Sequence, residues 1–96
     1  MQCRKGEGRQ IRETHELFRG ILAEAGIDAE GLVIKRAESS KQWVWFDDVL
    51  LGSYNYSNGI FRAQNGCVYD YKFDTLTKPD GSKEIMRFSE FMDLII

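Results

Sequence analysis

Features that would place a chain in a familiar functional class are scarce in these 96 residues, which include two cysteines, one histidine and one proline. No apolar run approaches the ~18 residues that a membrane-spanning helix needs. Arg4 and Lys5 are not followed by an apolar segment, so we expect no secretory signal. Two cysteines can form only one bridge, and we expect Cys3 and Cys67 to be free thiols in a reducing cytoplasm.

The motifs of metal, cofactor and catalytic sites are also missing. His15 has no histidine or cysteine at the spacing that zinc sites use, and it lies on the apolar stripe of a predicted helix. No Walker sequence, calcium loop or dinucleotide fingerprint occurs. Asp47-Asp48, Asp70 and Asp74 are explained as turn and solvated strand residues. We therefore expect no metal, no cofactor and no catalytic residue.

The charge balance argues against a nucleic-acid-binding protein, which must bind backbone phosphates. The net charge is −2 and the pI is about 5.4, whereas nucleic-acid-binding domains usually carry a basic excess. The apolar and charged fractions, 43% and 29%, are ordinary for a single globular domain. We expect a flexible N-terminus over residues 1–8 and one domain over residues 9–96.

The first strong periodicity predicts a helix over about residues 9–25. Apolar side chains and the one histidine recur every three or four residues along one face, at Ile11, His15, Phe18, Ile21, Leu22 and Ala25. Gly26 is placed to end the helix in the left-handed conformation, with Ile27 folding back on it.

The middle of the chain favours strands. Leu32–Arg36 and Trp43–Phe46 are rich in β-branched and aromatic residues, and Asp47-Asp48 between the second strand and the next is interpreted as a tight turn. Such a turn places Trp45 opposite Leu50 and Trp43 opposite Gly52.

Three turn signals organise the second half, at Asn58-Gly59, Asn65-Gly66 and Pro79-Asp80-Gly81. The strands predicted between them are residues 60–64, 67–77 and 83–88. Ser89 to Ile96 is predicted as a short helix with Ser89 as its N-cap and with Phe91, Leu94 and Ile95 on one side. The fold class is α+β: an N-terminal amphipathic helix on an antiparallel meander sheet of four to six strands, followed by a short C-terminal helix.

Turn geometry predicts which residues share a face of the sheet. A two-residue turn at Asn65-Gly66 sets Arg62 opposite Tyr69 and Ile60 opposite Tyr71. A three-residue loop at Pro79-Asp80-Gly81 sets Ile85 opposite Thr75 and Arg87 opposite Phe73. The face predicted to be aromatic then contains Ile60, Arg62, Cys67, Tyr69, Tyr71, Phe73 and Ile85, and the other contains Phe61, Ala63, Val68, Asp70, Lys72, Asp74, Met86 and Phe88.

Neither predicted face is cleanly polar, and one helix covers only one face of a small sheet. We expect the second face to be covered by the C-terminal helix, by another protein or by a second copy of the chain.

Two groups of residues are candidates for a binding surface. Rings flanked by cations, as on sheets that stack unpaired bases, are provided by Tyr69, Tyr71, Arg62 and Arg87. The segment from Tyr54 to Gly59 has the composition of a recognition loop, and its candidates are Tyr54, Tyr56 and Asn58. Buried core is the commoner use of such rings.

The leading functional hypothesis is a non-enzymatic interaction module or small inhibitor that binds a protein partner or a second copy of itself. A small acidic inhibitor from a phage or mobile element fits this description. The first alternative is a binder of single-stranded nucleic acid or nucleotides that uses the sheet aromatics. The second is a small enzyme, which needs His15 and Cys67 to meet. No membrane partner is expected.

Overall fold

The fold consists of one antiparallel sheet and two helices, one before the strands in the sequence and one after them. A computed structural model describes residues 5–96, with side chains from Gly8 onward. The α+β class is confirmed, and the described sheet has seven strands rather than four to six. The elements are α1 (Lys5–Glu24), a 3-10 turn (Ala29–Gly31), β1 (Leu32–Arg36), β2 (Lys41–Phe46), β3 (Val49–Asn55), β4 (Ile60–Ala63), β5 (Val68–Asp70), β6 (Thr75–Thr77), β7 (Lys83–Ile85) and α2 (Phe88–Ile95).

The N-terminal helix begins earlier than its apolar stripe suggests. Of the residues predicted to be flexible, 1–4 lie outside the described residues, whereas 5–8 belong to α1. The stripe buries Phe18, Ile21 and Leu22 against the sheet. Helices in proteins gain most of their stability by packing an apolar face, and the helical spacing of these residues gives α1 such a face.

The predicted end of α1 at Gly26 is confirmed. Gly26 has φ +76°. Its N–H donates to the Ala23 carbonyl, and the Ile27 N–H donates to the Leu22 carbonyl at 2.9 Å. This pair of hydrogen bonds is a Schellman motif, which satisfies carbonyls that the helix leaves unpaired.

The turn between β2 and β3 is the predicted tight turn. Asp47 and Asp48 have φ values of +50° and +65°, a conformation that aspartate tolerates better than most residues. Trp45 lies opposite Leu50, as predicted, but Trp43 lies opposite Ser53. The prediction that Trp43 faces Gly52 was wrong because a β-bulge between Val44 and Trp45 shifts the register by one residue.

The register of β4 with β5 also differs from the prediction. Tyr69 lies opposite Phe61, not Arg62, and Ile60 lies opposite Asp70, not Tyr71. The Ala63 N–H donates to the Cys67 carbonyl, so the loop is Gln64-Asn65-Gly66, with Gly66 at φ +91°. An Asn-Gly pair suits this three-residue loop as well as a two-residue turn, and the slip of one residue exchanges the two faces.

The strand predicted over residues 67–77 is in fact two strands joined by a turn over residues 71–74. The Asp70 carboxylate accepts the Lys72 N–H at 3.0 Å, and Asp74 has φ +50°. Phe73 projects from this turn with 72% of its surface exposed. The predicted pairing of Phe73 with Arg87 is therefore wrong, although Ile85 does lie opposite Thr75.

The last strand ends at Ile85, and α2 begins at Phe88, which had been assigned to the strand. Arg87, not Ser89, is the N-cap, and its N–H donates to the Glu90 carboxylate at 2.9 Å. The buried side chains of α2 are Phe88, Ser89, Phe91 and Met92, while Leu94 is exposed.

Both helices pack on one face of the sheet, which we call the inner face. Its core is aromatic: the Phe18 ring lies 5.3 Å from the rings of Tyr54 and Phe88, and the Tyr69 ring stacks on Phe88 at 4.3 Å. The second helix thus extends the cover of the inner face and leaves the opposite face uncovered by any described element. In the described part of the chain, neither helix combines the length and apolarity required to cross a membrane.

Candidate functional site

The side of the sheet that neither helix covers, which we call the open face, is the surface on which we look for a site. Strand alternation and the observed registers place cross-strand neighbours on it in continuous rows. None of its side chains is fully buried. They are Val33, Lys35, Lys41, Trp43, Trp45, Leu50, Ser53, Asn55, Ile60, Arg62, Val68, Asp70, Thr75, Thr77, Lys83 and Ile85.

Two tryptophans from β2 lie on the open face in different environments. Trp43 is 40% exposed beside Lys35 of β1 and Ser53 of β3. The ring of Trp45 is half-buried, with Lys35 Nζ 5.3 Å from its centroid in a cation–π contact. Trp45 Nε1 is buried and finds no hydrogen-bond partner among the described residues. Trp43 is therefore the ring of this pair that is available to a partner.

The charge of the open face is opposite to that of the whole chain. Four basic side chains, Lys35, Lys41, Arg62 and Lys83, stand against one acidic side chain, Asp70, although the chain carries −2 overall. The ion pairs found among the described residues involve other basic groups, including the Arg87–Glu24 pair at 3.0 Å between the helices. The open face is therefore locally basic on a chain that is acidic overall.

The structure separates the predicted site residues into three locations. Tyr54 and Tyr69, both named as candidates for a binding surface, are buried in the inner-face core, the commoner use of such rings, so neither is available to a partner. Tyr71 is 41% exposed and lines a groove near Arg87, on the helical side of the molecule. Tyr56 and Asn58 lie in the β3–β4 loop and Arg62 lies on β4.

Of these seven candidates, only Arg62 lies on the open face itself, and Asn58 borders it. Trp43, Lys35 and Lys41 were missed as site residues. The alternation Trp43-Val44-Trp45 could have revealed them, because residues two apart on a strand share a face.

Tyr69 is fixed in the core by its hydroxyl group. That hydroxyl lies 2.8 Å from the Met86 carbonyl and 3.0 Å from Asp74 Oδ1, two acceptors for its proton. Burial raises the pKa of Tyr69 well above its ordinary value, and the hydrogen bond to Asp74 raises it further. Burial also raises the pKa of Tyr54.

These shifts predict a loss of stability in alkali. A tyrosine whose pKa is higher in the folded than in the unfolded state stabilises the fold fully below the unfolded value of ~10 and progressively less above it. The free energy of unfolding, measured in urea at pH 8 and at pH 11, should therefore fall at the higher pH. Tyr69→Phe should reduce this fall, whereas Tyr56→Phe, which removes a tyrosine hydroxyl that takes no part in the Tyr69 shift, should leave it. An equal fall in all three proteins would contradict the role of Tyr69.

Residues that could support metal or nucleophilic chemistry are dispersed in the described part of the chain, where no group of three histidine, cysteine or acidic side chains could hold a metal ion. His15 is half-buried and lines a shallow groove between α1 and the 3-10 turn. Cys67 is a half-buried free thiol that does not line this groove, and Cys3 lies outside the described residues.

Comparison of the chain with known protein families, with curated proteins and with solved structures found no match. The open face and its chemistry are therefore the basis on which a function is proposed.

Proposed function

We propose that this protein is a non-enzymatic binding module that docks an acidic surface of a protein partner against the open face. The observation that carries the proposal is the exposed Trp43 on a sheet face that neither helix covers, surrounded by basic side chains without ion pairs among the described residues. A module of this kind inhibits a larger partner by occupying the surface that the partner needs.

The composition of the open face supports a protein partner. Tryptophan and arginine are the residues most enriched among those that dominate binding energy, and Trp43 and Arg62 flank the same β3 residue, Ser53. Val33 and Ile85 are exposed apolar groups toward the two ends of the face. Protein interfaces combine such apolar groups with a polar rim.

Charge favours a different protein over a second copy of this chain. In a symmetric dimer the same surface patch occupies both sides of the interface. Two open faces would then bring Lys35, Lys41, Arg62 and Lys83 against the same four groups, with only Asp70 to offset them. An acidic partner meets these groups without that repulsion.

Single-stranded nucleic acid has weaker support. The rings first proposed to stack bases included Tyr69, which is buried, while Tyr71 lies away from the open face. On the open face, Lys35 already occupies one side of the Trp45 ring. Base-stacking surfaces usually offer several free rings along the strand, and Trp43 is one ring.

The test begins with capture of partners from the native cell by the full chain, followed by purification of each captured protein and measurement of its affinity. Trp43→Ala should weaken the binding of the true partner at least ~30-fold, because truncating a central interface anchor has that effect. Arg62→Glu should weaken it further through charge reversal. Arg12→Glu, which makes the same change on exposed α1, is the matched control and should alter affinity less than about twofold.

Several results would overturn the proposal: a purified partner that binds the two face variants as tightly as the control, failure to recover any partner, or a partner with a basic docking surface. The nucleic-acid alternative is tested by fluorescence titration with single-stranded oligonucleotides at low salt. Micromolar binding that Trp43→Ala abolishes would replace the protein partner with nucleic acid.

A further inference from the structure

A small hollow on the open face has the chemistry of an anion receptor. It lies between β2, β3, β4 and the β3–β4 loop and encloses about 110 Å³. Cross-strand pairing assembles it, because Lys41 lies opposite Asn55 and Ser53 lies opposite Arg62. Its lining residues are Lys41, Ser53, Asn55, Asn58, Ile60 and Arg62.

The two asparagines are oriented by the loop. Asn55 Oδ1 accepts from the Ser57 N–H at 2.9 Å and from the Ser57 hydroxyl at 2.7 Å. Asn58 Oδ1 accepts the Ile60 N–H at 3.0 Å. Since both carboxamide oxygens already accept hydrogen bonds from the protein, the amide groups of these side chains remain as the donors that a ligand can use.

The other polar groups at the hollow are also donors. Lys41 and Arg62 contribute positive charge, and neither forms an ion pair within the described part of the chain. The Ser53 hydroxyl can donate as well, and none of the described carboxylates lines the hollow. A concave site with two cations, two amide donors and a hydroxyl matches one oxyanion group.

We infer that the hollow binds a single oxyanion, the carboxylate or phosphate group of a ligand. That this group belongs to the protein partner rests on the proposed function, whereas the anion site itself does not. Trp43 borders Ser53 on the open face, so an anion held here would lie beside the exposed ring.

The site can be tested with small anions and the full chain alone. Amide NMR spectra are recorded during separate titrations with acetate and with inorganic phosphate, with ionic strength held constant by sodium chloride. Saturable shifts of the amides of Ser53, Asn55, Asn58 and Arg62 are expected. Whichever anion binds more tightly identifies the group, and saturable binding of either one supports the site.

Lys41→Gln and Arg62→Gln should each weaken this binding about tenfold, the loss expected when a charge-assisted hydrogen bond is removed. The matched control is Lys78→Gln, which removes the same charge from a lysine that already pairs with Glu84 at 3.2 Å. It should change the binding less than about twofold.

Shifts that do not saturate, that spread over the whole surface, or that weaken equally in the control would overturn the inference. So would unchanged binding by the Lys41 and Arg62 variants, whose folding the same spectra report. The two proposals fail separately. If anions bind but no Trp43-dependent partner is found, the anion site is supported and the proposed function is not. If a Trp43-dependent partner is found but no anion binds, the proposed function is supported and the anion site is not.

Discussion

Replacing Phe18 with alanine is expected to lower the free energy of unfolding by about 3–5 kcal/mol, the range for truncating a buried phenylalanine. Phe18 has no exposed surface, and its ring contacts those of Tyr54, Phe61 and Phe88 at centroid distances of 5.3–5.8 Å. It therefore joins α1, the sheet and α2 at one point. A domain of this length has a total stability of roughly 5–15 kcal/mol, so the variant should be largely destabilised.

Urea unfolding followed by circular dichroism measures this loss, and Phe73→Ala provides the matched control. Phe73 undergoes the same chemical change but is 72% exposed in the turn between β5 and β6. Its replacement should alter the free energy of unfolding by no more than about 0.5 kcal/mol. Equal losses at positions 18 and 73 would contradict the arrangement of the core.

The second large effect is expected from Gly52→Ala, at the β-bulge of β3. A Cβ at Gly52 would overlap the carbonyl oxygen of Arg62 and lie 2.9 Å from Ala63 Cα on β4. These are backbone atoms, which cannot move aside as the end of a flexible side chain can, so β3 and β4 must separate. We expect a loss of about 3 kcal/mol or more, at the upper end for overpacking.

Thermal unfolding detects this change, since 1 kcal/mol corresponds to roughly 4–8 °C in Tm for a domain of this size. The control is Gly20→Ala on α1, where an added Cβ meets no atom within 4 Å. That substitution should raise stability by about 0.5–1 kcal/mol, because alanine is the better helix former. A Gly52→Ala protein as stable as the wild type would show that β3 and β4 are not packed as described.

Local signals in the sequence predicted the structure correctly where a single physical cause determines it. The periodic apolar residues of α1 and the glycine after it predicted that helix and its end. The Pro79-Asp80-Gly81 loop predicted the pairing of Thr75 with Ile85, because its three residues admit one register.

The wrong predictions concern turns and registers for which two local conformations have similar free energies. Long-range packing then selects between the two conformations. Asn65-Gly66 fits a two-residue or a three-residue loop, and the three-residue loop is the one that buries Phe61 and Tyr69 on the same face. The bulge beside Trp45 has only an ambiguous signal, Gly52, because a glycine inside a strand marks a bulge, a bend or a close backbone approach alike. The turn after Asp70 has no glycine or proline, and its only signals are Asp70 and Asp74.

These register errors explain why the predicted site differs from the observed open face. The sequence predicted that the N-terminal helix covers one face and left three possible covers for the other: the C-terminal helix, another protein or a second copy. In the structure the C-terminal helix packs on the same face as the N-terminal one. Since a slip of one residue exchanges the faces, the prediction placed Tyr69 on the same face as Arg62, whereas the two residues lie on opposite faces. The oxyanion hollow was beyond sequence reasoning, because its lining residues come from three strands whose pairing includes the unpredicted bulge.

The strictly sequential order of the strands has a consequence for how the chain folds. Each strand pairs with its neighbours in the sequence, so every β-hairpin can form by closing a short loop. The contact between Phe18 and Phe88 joins the two helices across most of the chain. Topologies rich in local pairings fold rapidly. We expect the rate-limiting step to be the assembly of the core, which the docking of the C-terminal helix completes.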